Sequence, residues 1–299
     1  MPSSGLVTEL KRFATHDGPG IRTTVFFKGC PLRCRWCSNP EGLEPGAELL
    51  FHSHRCRSCG ACVGACPEQA IDLGRDGRID RRRCTLCWEC VAACPHGAYR
   101  RSGRPVTAAE LAAEVEKDRP FYRLDGGVTL CGGEPLGQPE LALELLGRCR
   151  AAGISTVLDT SGHAPPEVVR QAAKLADLVL LDIKQIDSEQ HRAATGLDNA
   201  LVLSNAALFG RECRVRLTLP LVPGFNDSAD NLSATARLAR RIGAQAIDVL
   251  AVHELGRERY RHLGLPLPDR QRSPTAAELA SAVRVIAEQG VETTIGRMM

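Results

Sequence analysis

The chain has 299 residues, 43% of them hydrophobic, so it can bury one large core or one core with a small appendage. Its formal charge is only +3 and its 33 arginines are spread along the whole length, so no nucleic-acid partner is inferred. No run of 18 apolar residues suggests a membrane span, and the N-terminal "MPSSGLVTELKRFATHDGPG" lacks the apolar stretch of a signal peptide, which makes the cytoplasm the expected compartment.

In chain order the first strand signal is "RTTVFF", residues 22 to 27, which leads into "GCPLRCRWCSNPEG", residues 29 to 42. Cys30, Cys34 and Cys37 stand there at C-x3-C-x2-C spacing. A zinc site would normally want four protein ligands, and the nearest histidines, His16 and His52, lie outside the stretch. Either a distant residue closes the set or one coordination position stays open, as a substrate would require.

Residues 47–102 read as an insert, with eight cysteines and few long apolar segments. In a reducing compartment grouped cysteines are metal or cluster ligands rather than disulfides. "CRSCGACVGACP", from Cys56, is echoed 28 residues later by "CTLCWECVAACP", from Cys84, so the insert divides into halves of about 47–76 and 77–102. Each half is too small to fold on its own core. Each matches C-x2-C-x2-C-x3-C-P, the bacterial two-cluster ferredoxin pattern in which the fourth cysteine ligates the other cluster. Cys56, Cys59, Cys62 and Cys94 are therefore assigned to one [4Fe-4S] cluster, and Cys84, Cys87, Cys90 and Cys66 to the other. The run "RIDRRRC" with Arg81, Arg82 and Arg83 is either a solvated surface or a basic dock for an acidic electron donor.

From residue 105 onward helices and strands alternate. "TAAELAAEVEK" and "TAAELASAVRVIAEQG" each open on a capping box, Thr107 with Glu110 and Thr275 with Glu278, and Gly290 closes the second helix. Strand runs are "GVTLCGG", "STVLDTSG", "LVLLDIK", "VRLTLPLV", "AIDVLAV" and "VETTI". Six or seven βα units make a parallel sheet, open or closed into a full or partial barrel. Glu134, Asp159, Asp182, Lys184 and His253 fall where these strands finish, the end at which such folds bind ligands.

With iron-sulfur motifs alongside, three cysteines and one open iron read as a [4Fe-4S] site of the radical S-adenosylmethionine type. "HDGPGIRTTVFFKGCPLRCRWCSNPEG", "GGEP", "LDTSG", "LDIK", "PLVPGFND" and "VHELG" together resemble the glycyl radical enzyme activating enzymes over nearly the whole chain. The insert points to the branch that activates glycerol dehydratase, choline trimethylamine lyase, benzylsuccinate synthase and related lyases. The resemblance implies a partial (β/α)6 TIM-like barrel from residues 1–46 and 103–299, interrupted by the ferredoxin-like 2x[4Fe-4S] domain of 47–102.

It also implies that S-adenosylmethionine sits on the open iron, with Cys30, Cys34, Cys37 and Lys184 as the catalytic set. Trp36, Cys37 and Ser38 would lie near the adenine; Gly132, Gly133 and Glu134 would face the methionine amino group. Asp182, Ile183 and Lys184 would contact the ligand, His253 would reach the adenosine end, and Asp159 with Asp182 would hold a monovalent cation. The implied reaction is reductive cleavage of S-adenosylmethionine to methionine and a 5'-deoxyadenosyl radical, which takes a hydrogen from a glycine of the partner glycyl radical enzyme. Flavodoxin or ferredoxin would supply the electron, and the activator would work as a monomer. Asp17 and Arg22 of "THDGPGIR" are expected at the mouth that admits the partner's peptide loop.

Two departures from the family pattern stand out. Cys131 replaces the serine that commonly precedes GGEP, and is read as a buried strand thiol, with Cys149 and Cys213 as core or surface thiols. Thr218 occupies the place of a usual arginine, and Arg216 lies two residues upstream on the same strand face. Competing readings are a radical enzyme acting on a small molecule or another protein, and an electron-transfer protein whose barrel is only a scaffold.

Overall fold

The chain enters through a long strand, β1 (Ser4–Ala14), and turns back into β2 (Arg22–Phe27), whose six side chains are all buried, as in a strand covered on both faces. The computed structural model describes residues 3–269 and 272–297. After the first cysteine loop come β3 (Glu48–Phe51), the short helices α1 (Ala61–Ala65) and α2 (Glu89–Ala93), and β4 (Tyr99–Ser102). Strand β5 (Arg104–Thr107) precedes helices α3 (Ala108–Glu116) and α4 (Arg119–Tyr122). Alternation follows: β6 (Gly127–Gly132), α5 (Pro139–Ala151), β7 (Ser155–Thr160), α6 (Pro166–Leu175) and β8 (Leu178–Asp182). Helices α7 (Ser188–Thr195) and α8 (Ala200–Glu212) then lead to β9 (Val215–Leu221), and α9 (Ala229–Ile242) to β10 (Ile247–Ala251). Helices α10 (Arg257–Leu263) and α11 (Ala276–Ala287) bring the chain to β11 (Thr293–Arg297).

These strands form one mixed sheet in the order β11-β10-β9-β8-β7-β6-β2-β1-β5. From β11 to β2 every neighbouring pair is parallel, and β1 and β5 are added antiparallel beyond β2. Strands that follow one another and lie side by side, each reached through helix, are the α/β architecture that the sequence implies. The run "VETTI" begins its strand two residues late, at Thr293. Strands β1 and β5 had no counterpart in the sequence reading, since Gly5 and Pro105 weaken the strand signal and the alternation in β1 is half polar.

Period-two alternation then gives the sheet two unlike faces. On β8, β9 and β10 the residues Val179, Leu181, Leu217, Leu219, Leu221, Ile247 and Val249 join the main core with Leu141, Leu145, Ala206, Phe209, Ala236 and Ile286 of the helices. The opposite positions, Leu180, Asp182, Arg216, Thr218, Asp248 and Leu250, line a cavity instead. Both capping boxes are formed: Glu110 N–H donates to Thr107 Oγ1 at 3.2 Å, and Glu278 N–H to Thr275 Oγ1 at 3.2 Å. Among the described residues no helix is long and apolar enough to cross a membrane.

Between Glu48 and Ser102 the chain builds a separate small body, closed at its base by the antiparallel pair of β3 and β4. Its apolar cluster unites Leu49, Phe51, Ile71, Ile79 and Tyr99 with Cys62 and Cys90. The 28-residue repeat is also a repeat of conformation, for Ser58 and Leu86, Gly60 and Trp88, and Gln69 and Gly97 all have positive φ. Gly60 takes φ 81° without cost, whereas Trp88 holds φ 68° in the same place, beneath the Arg101 guanidinium at 4.6 Å. A buried lysine secures this body to the sheet: Lys28 Nζ pairs with Glu48 at 2.6 Å and donates to the Glu41 carbonyl at 2.8 Å.

Candidate active site

The cysteine loop leaves the C-terminal end of β2 and is pinned by backbone hydrogen bonds, Cys30 N–H to Leu43 O at 3.0 Å, Arg33 N–H to Thr195 O at 2.7 Å and Arg35 N–H to Ala194 O at 3.1 Å. Cys30, Cys34 and Cys37 thereby border one cavity of about 580 Å³, within the size range of ligand pockets. They are the only cysteines bordering it among the described residues. Burial pushes the Cys30 and Cys37 thiols up to about 12 and raises Cys34 as well. Trp36 packs on Phe225, ring centroids 5.2 Å apart, and both join Ala194, Val222 and Val252 in a small apolar cluster behind the loop.

Across the cavity lies a polar rung. Asp182, Thr218, Asp248 and Thr294 are register neighbours on β8, β9, β10 and β11. The Thr218 hydroxyl donates to Asp182, and the Thr294 hydroxyl donates to Asp248. Lys184 Nζ donates to the other Asp182 oxygen at 2.6 Å. Burial pulls the Lys184 ammonium down, but Asp182 and the nearby thiols of Cys34 and Cys30 outweigh it, and the net direction is up. The Asp159 carboxyl, on the same wall, is held well above the usual carboxylate range by burial and by Asp182.

Arg216 also lines the cavity, but it is engaged: Nε and Nη2 grip Asp248 at 2.8 and 2.5 Å. Thr218, not Arg216, therefore stands beside Asp182. This pairing escaped the sequence reading, although Arg216 and Asp248 are polar interruptions at the same alternating position of two adjacent strands. Thr160 and Ser161 were missed too. They follow from "LDTSG" once β7 is placed next to β6, and they border the cavity while donating to Glu134, Thr160 Oγ1 at 2.6 Å and Ser161 N at 2.9 Å.

Several expected site residues lie elsewhere. Glu134 is fully buried behind the wall, and its oxygens are taken by Thr160, Ser161 and the Leu136 N–H. Ile183 is 1% exposed and belongs to the helix-packed core. His253 follows β10 and is not among the residues that line the cavity. Gly132 and Gly133 do line it, and their lack of a side chain is demanded by the backbone: a Cβ on Gly133 would stand 2.4 Å from Gly29 O, and one on Gly132 2.7 Å from Phe27 N. Cys131 is a buried strand thiol, 1% exposed.

Thr15, His16, Asp17, Gly18 and Pro19 border the cavity from the N-terminal edge of the strands, opposite the cysteine loop. Asp17 accepts from Thr24 Oγ1 at 2.5 Å, and its Oδ1 is buried without a partner. Arg22 does not face the cavity. Its guanidinium is wholly buried and donates to Thr129 Oγ1 and to the carbonyls of Pro19, Asp125, Val128 and Ser155, with burial lowering it to about 10. It fastens the Asp17 loop instead of meeting a ligand.

In the small body, two recesses each gather four thiols. Cys56, Cys59, Cys62 and Cys94 border one, and Cys66, Cys84, Cys87 and Cys90 the other. Backbone N–H groups already point at sulfur, Ala70 to Cys66 at 3.2 Å and Ala98 to Cys94 at 3.3 Å. Burial opposes ionisation of Cys94, yet the backbone N–H groups of Ala98, His96, Tyr99 and Gly97 prevail and lower it. Of the basic run, Arg81 donates to the Leu49 carbonyl at 3.1 Å, and Arg81, Arg82 and Arg83 are all exposed.

Comparison with known proteins agrees with this geometry. The radical SAM superfamily model matches residues 24–236, well over half the chain. The choline trimethylamine-lyase activating enzyme of Oleidesulfovibrio alaskensis is 43% identical over 273 residues, 88% of each chain. The trans-4-hydroxy-L-proline dehydratase activating enzyme of Clostridioides difficile is 38% identical, covering 97% of this chain and 99% of its own. The chain belongs to the glycyl radical enzyme activating enzymes of the radical SAM superfamily.

For an activating enzyme of this kind, membership implies a [4Fe-4S] cluster and S-adenosylmethionine, and the residues present fit both. Three convergent thiols without a fourth leave one coordination position for the cosubstrate, and the cavity beneath them offers the room and the charged groups. Streptococcus suis SuiB bound to its precursor peptide SuiA shares the fold, with a TM-score of 0.56 at 12% identity over 92% of this activating enzyme and 48% of that chain.

Proposed function

We propose that this activating enzyme carries three [4Fe-4S] clusters, one on Cys30, Cys34 and Cys37 and two in the ferredoxin-like insert of residues 47–102, and serves a lyase of the glycyl radical type. The carrying observation is the placement of three cysteines over a cavity whose far wall holds the Asp182–Lys184 pair. On this reading the sheet from β2 to β11 is a partial (β/α)6 barrel. When bound, the cluster and S-adenosylmethionine supply one-electron cleavage of the sulfonium and, through it, hydrogen-atom abstraction at a glycine Cα, releasing methionine and 5'-deoxyadenosine.

The chain's own residues bind and orient. Lys184, fixed by Asp182, presents a permanent positive charge to a carboxylate; Asp159 and Asp182 form the acidic pair for a monovalent cation. Backbone at Trp36 and Ser38 borders the adenine, and backbone at Gly132 and Gly133 faces the amino group. Glu134 acts from behind by fixing Thr160 and Ser161, and Ile183 contributes only backbone. His253, outside the cavity lining, would have to reach the adenosine end from the loop after β10. Leu180, Pro220 and Leu250 supply apolar wall, which keeps water from the reacting atoms.

In the insert, Cys59 and Cys87 are exposed, so an electron from flavodoxin or ferredoxin could enter at either recess and be relayed inward. A cluster-bearing protein whose eleven ligand cysteines must stay reduced belongs in the cytoplasm, and it would work as a monomer.

Anaerobic iron and sulfide analysis tests the cluster count. About twelve of each per chain are expected, falling to about eight in a Cys30→Ala/Cys34→Ala/Cys37→Ala variant. Electron paramagnetic resonance of the reduced enzyme with S-adenosylmethionine and a candidate lyase tests the activity. A glycyl doublet with 5'-deoxyadenosine is expected; an intact site cluster that yields no deoxyadenosine would overturn the reading.

A further inference from the structure

A second donor set lies outside the active site, where the insert meets helix α10. His52 follows β3, His54 sits in the tight turn after it, and His262 lies in the last turn of α10. One coordinating atom from each falls within 4.8 Å of the other two. The His52 and His262 rings are 4.0 Å apart, and His54 stands 5.8 and 6.1 Å from them.

The Nε2 atoms of both His52 and His262 are buried without a hydrogen-bond partner. Such orphans are rare because each forfeits its hydration, and two on rings 4.0 Å apart point to a missing group. Burial lowers His52 to about 4 and lowers His262 too, so both rings are neutral near pH 7 with lone pairs free. Arg55, Arg100 and Arg259 also face the trio, and Glu258 Oε1, 3.6 Å from His262 Nε2, is its nearest acidic group.

We propose that His52, His54 and His262 bind one divalent first-row transition ion of the zinc class, clamping the insert to helix α10. Imidazole nitrogen suits zinc and its neighbours, and three such ligands plus water or Glu258 complete four-coordination. Zinc–nitrogen bonds of about 2.0–2.1 Å set tetrahedral nitrogens about 3.3 Å apart, so each pair closes by no more than about 1.5 Å. His52 and His54 lie on the insert side and His262 more than two hundred positions later, so the ion would span both bodies.

The test titrates Zn²⁺ calorimetrically and anaerobically into the full chain with its clusters loaded, monitoring iron content. One equivalent should bind with iron unchanged, and zinc-edge absorption should show only nitrogen and oxygen neighbours at about 2.0 Å. His54→Gln, at an exposed position, and His262→Gln should each weaken binding at least about tenfold. No stoichiometric binding, binding by either variant as tight as the parent's, or sulfur at about 2.3 Å in the zinc shell would each overturn the site.

Discussion

Arg216 and Asp248 show how the charges of a site are settled between neighbouring strands. The Thr218 hydroxyl caps Asp182, and the Arg216 guanidinium reaches one strand over to Asp248. The side chains keep 25% and 15% of their surface, so the pair is partly desolvated and more than a surface ion pair. Asp248→Ala should therefore cost about 1–3 kcal/mol, because Arg216 would remain half-buried and unpaired. Denaturation of the cluster-loaded protein would show this, and an added Arg216→Met should recover part of the loss. Equal stability of the single variant and the parent would mean that water already serves Arg216.

Helix α11 carries its own acid sensitivity. Glu278 is drawn down to about 2 by the Arg272 side chain and the Thr275 N–H. A carboxylate lowered on folding adds stability above its unfolded range near 4.5, and that stability is lost as pH falls toward 2. Protection of the first turn against hydrogen exchange should fall between about pH 5 and pH 2, and Glu278→Gln should abolish that dependence. Persistent protection at low pH in the parent would assign the turn's stability to packing alone. Elements of this kind were legible because their cause is local: a capping box spans four residues, and the core strands are short apolar runs. Strand β1 was not legible, because its pairing with β2 and β5 is decided by distant partners and its alternate residues face water.

At the scale of the whole molecule, motif spacing revealed the thiol groups, since each ligand run is local and repeated. The Arg216–Asp248 pair and the histidine trio were not legible, because they join residues from separate strands or separate bodies. The same holds for Lys28, which the sequence shows only as a residue before the cysteine loop. Its side chain is fully buried against Glu48. Lys28→Met should loosen the small body by about 3 kcal/mol, leaving the Glu48 carboxylate and Glu41 carbonyl unpaired. Faster hydrogen exchange in β3 and β4 than in β6 to β9 would register it, and uniform exchange would refute it. Finally, among the described residues the sheet does not close on itself, since β11 ends it on one side and β5 on the other. Ile295, 55% exposed, and Gly296 border the cavity at that free edge, which is about 16 Å tall. On the function proposed above, a partner could thus offer a loop sideways while both ends of the loop stay anchored in its own fold. Nothing has to be threaded, and the loop can withdraw by the way it came, so one activator is free to attend to many partner molecules in turn.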